Sequence, residues 1–243
     1  MKEIAGCELP APSAILFADN LMKFLAVLSP LLLLFVHGLL YNPIGSIAAS
    51  RGVNYSRLIE IPLDAKVPFV PLFVLPYLFV WVFPILLIGY LAHQRGFAPI
   101  PALRISVSLA VLMLSCYVLW ILFPVCVDLR LEQAVLARYG FLGTLVGLNY
   151  EGASQWNACP SFHVAGPWFL YRAVRDAVPR MPRIFLCIAL AIAASTVLIR
   201  IHFLLDIVFG MLVAELVYQL VLRRLPAGAA ASASADGRPA TDS

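Results

Sequence analysis

Long uncharged apolar runs alternate with short charged connections along most of this chain. Six runs are predicted helices, and they cover residues 21–41, 67–92, 105–127, 160–171, 184–199 and 203–222. A helix needs about 20 apolar residues to cross the hydrocarbon core of a bilayer. The fourth run reaches that length only if its helix continues through Arg172 and Val174. The pattern predicts an all-α, polytopic membrane protein with six transmembrane helices.

The connection between the third and fourth runs is unusually long. Its middle, residues 131–148, is moderately apolar and contains three glycines. We expect a surface or re-entrant helix there, which either packs on the bundle or covers a lipid headgroup. After a membrane domain of residues 1–225, the chain becomes rich in Ala, Ser and Gly, which predicts a disordered tail over residues 226–243.

Composition and charge agree with a membrane protein. The chain is 62% hydrophobic and 12% charged, whereas a soluble domain is about one quarter charged. With six spans, eleven of the 17 Lys and Arg residues lie on the side of the two termini. The positive-inside rule therefore places both termini in the cytoplasm. The net charge of +4 lies in short loops and gives no indication of nucleic-acid binding.

Two histidines lie at the edges of apolar runs, on the predicted extracytoplasmic side. His163 lies near the start of the fourth run, and His202 precedes the sixth, with Asp206 four residues later. On a helix, His202 and Asp206 share one face and can form a hydrogen bond. Ionisable groups at membrane segments are costly and indicate a functional site. The alternative is a pair of interfacial histidines and a buried aspartate with structural roles only.

These residue types suit phosphoryl transfer without a metal or a cofactor. One imidazole can attack phosphorus, a carboxylate can fix its tautomer, the second imidazole can protonate the leaving oxygen, and an arginine can hold the phosphate. The five cysteines have no CxxC pair and no metal-ligand spacing. Cys126 and Cys159 flank the loop before the first histidine. They could form a disulfide, but two free thiols are the favoured interpretation.

Three stretches, in order along the chain, resemble signatures of one family. They are Asp64-Ala65-Lys66-Val67-Pro68-Phe69-Val70-Pro71 with Pro76-Tyr77, Asn157-Ala158-Cys159-Pro160-Ser161-Phe162-His163-Val164-Ala165, and Ser195-Thr196 followed by His202, Asp206 and Gly210. The second resembles the Asn-Ala-Phe-Pro-Ser-Leu-His-Val-Ala signature of one branch of the type 2 phosphatidic acid phosphatase superfamily. That branch includes the inositolphosphotransferases that make inositol phosphorylceramide. The matches cover roughly residues 64–210.

The resemblance implies a role for each matching residue. His202 would be the nucleophile that forms a phosphohistidine, Asp206 would orient it, and His163 would be the general acid. Ser161 and Asn157 would contact the substrate. The chain supports the site independently at one point, because a helix that starts near Pro160 would place the backbone amides of residues 161–163 where anions bind.

Two departures from the superfamily pattern leave the phosphate-binding arginine open. The chain has no Lys-x6-Arg-Pro string before the first motif, and Thr196 stands six positions before His202, where an arginine is usual. These departures favour the inositolphosphotransferase branch. Arg200 is the first candidate for the phosphate clamp, provided that the turn before the sixth span brings it round to His202. Arg130 and Arg138 are the reserves.

The sequence therefore predicts a membrane-embedded phosphotransferase that acts on lipid phosphate esters at the extracytoplasmic face of the cell inner membrane. A lipid phosphatase that uses water as acceptor is the close alternative. A non-catalytic transporter or scaffold with a degenerate site is a third class. The expected partners are a lipid phosphate substrate and membrane lipids, with no nucleic acid, and protein partners are not indicated.

Overall fold

The computed structural model describes residues 12–95 and 99–225, and this part of the chain is helical without a β-strand. The predicted tail, residues 226–243, lies outside the described residues. The helices are α1 Pro12–Ser50, α2 Ser56–Ile59, α3 Val74–Leu78, α4 Phe83–Arg95, α5 Pro99–Leu122, α6 Gln133–Leu136, α7 Gly140–Gly152, α8 Phe162–Ala177, α9 Ile184–Leu198 and α10 Leu204–Leu220. Short 3-10 turns at Pro71–Phe73 and Phe79–Trp81 flank α3.

Three of these helical stretches are long and apolar enough to cross a membrane: Asp19–Ser50, Ala102–Leu122 and Leu204–Arg224. A fourth exists if Pro71–Trp81 and Phe83–Gln94, which are bent by 45° relative to each other, count as one broken span. The predicted fourth and fifth spans are the helices α8 and α9, which have only 16 and 15 residues. The described residues thus form an all-helical membrane protein with three or four long apolar helices.

The first helix extends well beyond its predicted end. A polar connection was expected from residue 42, yet α1 continues to Ser50 and contains Pro30 and Pro43. Contacts with the loop after α7 stabilise the extra turns. The amide of Asn42 donates to Gly152 O at 2.9 Å, and Ser154 N–H donates to Asn42 Oδ1 at 2.9 Å.

Helix α8 is the centre of the bundle and carries His163 in its first turn. It packs against α4, α5, α9 and α10, and its side chains Phe169 and Leu170 are fully buried. Close packing of this kind is the main source of helix association in a membrane. Gly210 lets α10 cross α8 closely, because a Cβ at that position would lie 2.7 Å from Ser161 O. The crossing brings the starts of the two helices together.

A second apolar cluster covers the end of the bundle where both histidines lie. It joins α3 and α7 to the turn between α9 and α10, and its buried members are Val74, Tyr77, Leu136, Val146, Tyr150, Ile199 and Ile201. The segment predicted as a surface or re-entrant helix, residues 131–148, forms α6 and most of α7 within this cover. The cover holds the histidine-bearing turn against the rest of the bundle.

Candidate active site

His202 and Asp206 form a buried pair at the start of α10. His202 Nδ1 lies 3.1 Å from Asp206 Oδ2, and the same oxygen accepts a hydrogen bond from Phe203 N–H at 2.9 Å. His202 is 2% exposed and Asp206 is fully buried. Within the described residues, His202 Nε2 has no hydrogen-bond partner. The carboxylate therefore fixes the imidazole through Nδ1, and no described residue occupies Nε2.

A tight turn after α9 presents His202 to the site. Thr196 O accepts hydrogen bonds from the N–H groups of Ile201 and His202, at 3.0 and 3.1 Å. Arg200 has a positive φ of 56°, a conformation that is uncommon for a residue with a side chain. The hydroxyls of Ser195 and Thr196 bond to carbonyls three residues earlier in α9. This Ser-Thr pair thus supports the helix end in the structure.

Asp64 holds this turn from the connection before α3, a role that the sequence did not reveal. Its carboxylate accepts hydrogen bonds from Leu204 N–H and from Ile61 N–H, both at 2.7 Å, and Asp64 is 2% exposed. A carboxylate at a helix N-terminus satisfies an unpaired amide and interacts favourably with the helix dipole. Asp64 therefore anchors the first turn of α10, where His202 and Asp206 meet.

His163 lies beside the pair and is itself held by a tyrosine. The ring centroids of His163 and His202 are 5.9 Å apart. Tyr77 Oη lies 2.9 Å from His163 Nε2, and the two rings stack with centroids 4.7 Å apart. His163 Nδ1 is buried and has no partner in the described part of the chain. One nitrogen of His163 is thus occupied and the other is available.

The start of α8 adds further polar groups without partners. The helix that was predicted to start near Pro160 begins two residues later, because α8 starts at Phe162 and Ser161 is its N-cap. Pro160 instead accepts a hydrogen bond from Trp120 Nε1 at 3.0 Å. The Ser161 hydroxyl is buried and unpaired among the described residues, while Ser161 N–H donates to Asp206 O at 3.2 Å. The first amides of a helix lack intrahelical acceptors and attract anions.

The candidate arginines are engaged with backbone carbonyls. Arg130 donates to three carbonyls at the end of α7, those of Tyr150, Ala153 and Ser154. Arg200 Nη2 donates to Val67 O at 2.9 Å. Arg138 is exposed. Both inner arginines therefore tie loops together near the site, and their role as a phosphate clamp stays a prediction.

Tyr150 and Asn157 also connect loops to the bundle. Tyr150 donates its hydroxyl to Ile199 O at 2.6 Å, and burial raises the pKa of Tyr150 to about 12, so the phenol remains a neutral donor. Asn157 Nδ2 donates to Tyr41 O, and Asn157 Oδ1 is buried without a partner in the described segments. A substrate contact for Asn157 stays a prediction. Cys126 and Cys159 are free thiols.

A cavity of about 400 Å³ opens beside His163. Its walls come from α1, the broken pair α3 and α4, the end of α7 and the start of α8, and they are mostly apolar. Its polar lining includes His163, Tyr77 and Tyr41. On the other side it is lined by Phe35 and Ile85, which are exposed on the outer faces of α1 and α4. The cavity thus connects a histidine of the site with the apolar outer surface.

Two further ionisable residues of the long helices, His37 and Glu215, have partners other than His202 and Asp206. His37 Nδ1 lies 2.9 Å from Tyr117 Oη, inside the bundle. Glu215 forms an ion pair with Arg172, at 2.7 Å, between α10 and α8. Glu215 thereby contributes to the packing of the two helices.

No protein-family model, no curated protein and no solved structure matches this chain. The family resemblance of its motifs is therefore a hypothesis that rests on the residues themselves. Tyr77 and Asp64 lie in the first stretch that carried the resemblance, but only the fold reveals what they contact.

Proposed function

We propose that this protein is a membrane-embedded phosphotransferase that transfers a phosphoryl or phosphorylated headgroup between a lipid phosphate ester and an alcohol, through a phosphohistidine. The observation that carries the proposal is the His202–Asp206 pair with its unpaired Nε2. A second, half-buried imidazole, that of His163, has its ring centroid 5.9 Å from that of His202. An imidazole nitrogen is suited to act as a nucleophile when a carboxylate orients its ring and the nitrogen itself has no hydrogen-bond partner.

The chemistry follows from these positions. His202 Nε2 attacks phosphorus, a nitrogen–phosphorus bond forms, and the bond from phosphorus to the leaving oxygen breaks. His163 gives its proton to that oxygen as general acid. Asp206 stabilises the positive charge that develops on His202. In the second step the acceptor alcohol attacks phosphorus and gives its proton to His163, which restores the enzyme.

The phosphate would lie at the start of α8. The unpaired Ser161 hydroxyl and the first amides of the helix are donors that suit phosphate oxygens there. Arg200 is the first candidate for a charged contact with the phosphate, and Arg130 is the second. Each arginine would have to replace one of its hydrogen bonds to a backbone carbonyl with a hydrogen bond to the phosphate.

The cavity supports a lipid as the substrate. It is mostly apolar, it is bounded by exposed apolar side chains of α1 and α4, and His163 lies in its lining. A lipid ester could place its phosphate near His163 with part of its hydrocarbon chain in the cavity. A small hydrophilic phosphate ester would leave the apolar walls unused.

We further propose six spans with the site on the extracytoplasmic side of the inner membrane. Helices α8 and α9 are about 24 and 22 Å long at 1.5 Å per residue, somewhat less than the ~30 Å of a hydrocarbon core. Helix α8 is surrounded by other helices, so its ends need not match the bilayer. Both histidines lie at one end of the bundle, and the charge distribution supports an extracytoplasmic position for that end.

The test is a product analysis with purified protein in detergent micelles. Phosphatidic acid, a polyprenyl phosphate and a phosphoinositol lipid are offered with and without inositol or another alcohol, alongside His202→Ala. We expect a new phosphorylated lipid or alcohol that requires the acceptor, and a labelled phosphoenzyme that is absent from His202→Ala. Free phosphate as the main product would instead establish a lipid phosphatase. No turnover on any ester would refute the proposal.

A further inference from the structure

We infer that Tyr77 is a positioning residue for the general acid: its hydroxyl accepts the Nε2–H of His163 and so directs the other proton, on Nδ1, to the leaving oxygen. This inference rests on the proposed function and adds to it a residue on α3. It also names the nitrogen of His163 from which the proton departs.

The contact between Tyr77 and His163 holds the two rings in a fixed relative orientation. Tyr77 Oη lies 2.9 Å from His163 Nε2, and the rings are stacked with an interplanar angle of 26°. Tyr77 is 2% exposed and packs in the apolar cover of the site. The pair can therefore rotate little, and the His163 ring keeps one orientation.

The proton balance of the reaction decides which group donates in this hydrogen bond. As general acid, His163 starts as an imidazolium with a proton on each nitrogen. Among the described residues its Nε2–H then has one acceptor, the phenol oxygen, and Nδ1–H is the proton without a partner. When Nδ1 gives its proton to the leaving oxygen, Nε2–H stays with Tyr77, and the phenol remains neutral throughout.

The reverse arrangement is unfavourable. If Tyr77 donated to Nε2, a neutral His163 could lose its Nδ1 proton only by taking the phenolic proton in exchange. That would leave a tyrosinate buried among apolar side chains, and burying an isolated anion is costly. Tyr77 thus acts by holding the ring and its remaining proton, and the proton that it holds is not the one transferred.

The experiment compares Tyr77→Phe with His163→Ala on two esters, one with an alkyl and one with an aryl leaving group. An alkoxide needs protonation to depart, whereas a nitrophenolate departs largely without it. We expect Tyr77→Phe to lower the rate of phosphohistidine formation about 10- to 100-fold with the alkyl ester, since a buried donor is left unpaired. With the aryl ester the rate should stay within about threefold of the rate of the unmodified protein. This change is smaller than the one expected if a hydrogen bond needed for the reaction were lost.

Tyr218→Phe is the matched control. Tyr218 is also buried, and it donates its hydroxyl to Asp176 at the end of α8 away from His163. Tyr218→Phe should change the rates with the two esters equally and by only a small factor. The aryl rate reports folding for each variant, because a misfolded protein would lose both activities.

The outcomes separate the inference from the function on which it rests. If His163→Ala shows the alkyl–aryl difference and Tyr77→Phe does not, the inference is wrong and the proposed function stands. Equal loss of both activities in Tyr77→Phe would assign Tyr77 to structure alone and overturn the inference. If the unmodified protein forms no phosphohistidine with either ester, the proposed function fails and the inference fails with it.

Discussion

Replacing Asp206 with asparagine would remove one negative charge from the site while leaving its shape almost intact. Asp206 Oδ2 accepts two hydrogen bonds, from His202 Nδ1–H and from Phe203 N–H. An amide oxygen can occupy the same place and accept both. The first turn of α10 should therefore fold as before, and the change tests the charge beside His202, the proposed nucleophile.

The structure sets the size of the expected effect. A hydrogen bond to a charged group contributes about 1.5–3 kcal/mol, against about 0.5–1.5 kcal/mol for a neutral one. The difference corresponds to a loss of roughly 10-fold in the rate of phosphohistidine formation. If the amide instead turns its NH₂ group to His202, the imidazole is held in the wrong tautomer. The analogous change in the Ser-His-Asp triad costs about 10⁴-fold.

The assay is single-turnover phosphorylation of the enzyme by a radiolabelled lipid phosphate, with Asp176→Asn as the matched control. Asp176 also accepts a hydrogen bond from a buried donor, the hydroxyl of Tyr218, but at the other end of α8. We expect Asp206→Asn to be slower than the control by about 10-fold or more. If the two variants label at the same rate while His202→Ala does not label, Asp206 does not activate His202.

Three further predictions concern topology, metal dependence and the cavity. In a background without native cysteines, an impermeant thiol reagent should label Gly152→Cys in intact cells and should not label Arg180→Cys. A side chain at Gly152 has open space around it. The opposite labelling pattern would invert the proposed orientation. Activity should survive a chelator because the proposed nucleophile and acid are imidazoles, so a loss that one added metal restores would contradict the histidine-only mechanism. Gly38→Phe should fill part of the cavity and raise KM about tenfold for a long-chain ester, because roughly two CH₂ groups of the lipid would be excluded. The KM for a short-chain ester should not change. An equal rise for both esters would show that the hydrocarbon chain of the lipid binds elsewhere.

The close spacing of His202 and Asp206 made their contact predictable from the sequence, whereas contacts between residues far apart in the chain were not predictable. A separation of four residues forecasts a hydrogen bond on a helix, and the structure has the contact at 3.1 Å. His202 nevertheless precedes α10, which begins at Leu204, so the contact joins the turn to the first turn of the helix and does not lie on one helix face. Tyr77 and His163 are 86 positions apart, and Asp64 and Leu204 are 140 apart. Only the packing of α3 and of the preceding connection against the bundle brings these partners together.

Helix boundaries were predictable where hydrophobicity decides them, and less so where tertiary contacts do. The predicted fifth span, residues 184–199, differs by one residue from α9, Ile184–Leu198. The end of α1 was placed nine residues too early, since Asn42, Pro43 and Gly45 have low helix propensity. In the structure a Cβ at Gly45 would lie 2.1 Å from Ser154 Oγ. A residue that breaks isolated helices therefore allows a close contact here, and the helix continues.

The connection before α3 has a consequence for how the protein matures. Three hydrogen bonds tie it to the turn that carries His202: Leu204 N–H to Asp64 Oδ1, Arg200 Nη2 to Val67 O, and Val70 N–H to Leu198 O. Well over a hundred residues separate the two sides of each contact, so a nascent chain cannot make all three until it has been synthesised as far as Leu204. The positioning of His202 by these contacts thus comes late in biosynthesis, after the chain of the helices from α1 to α9 has been made.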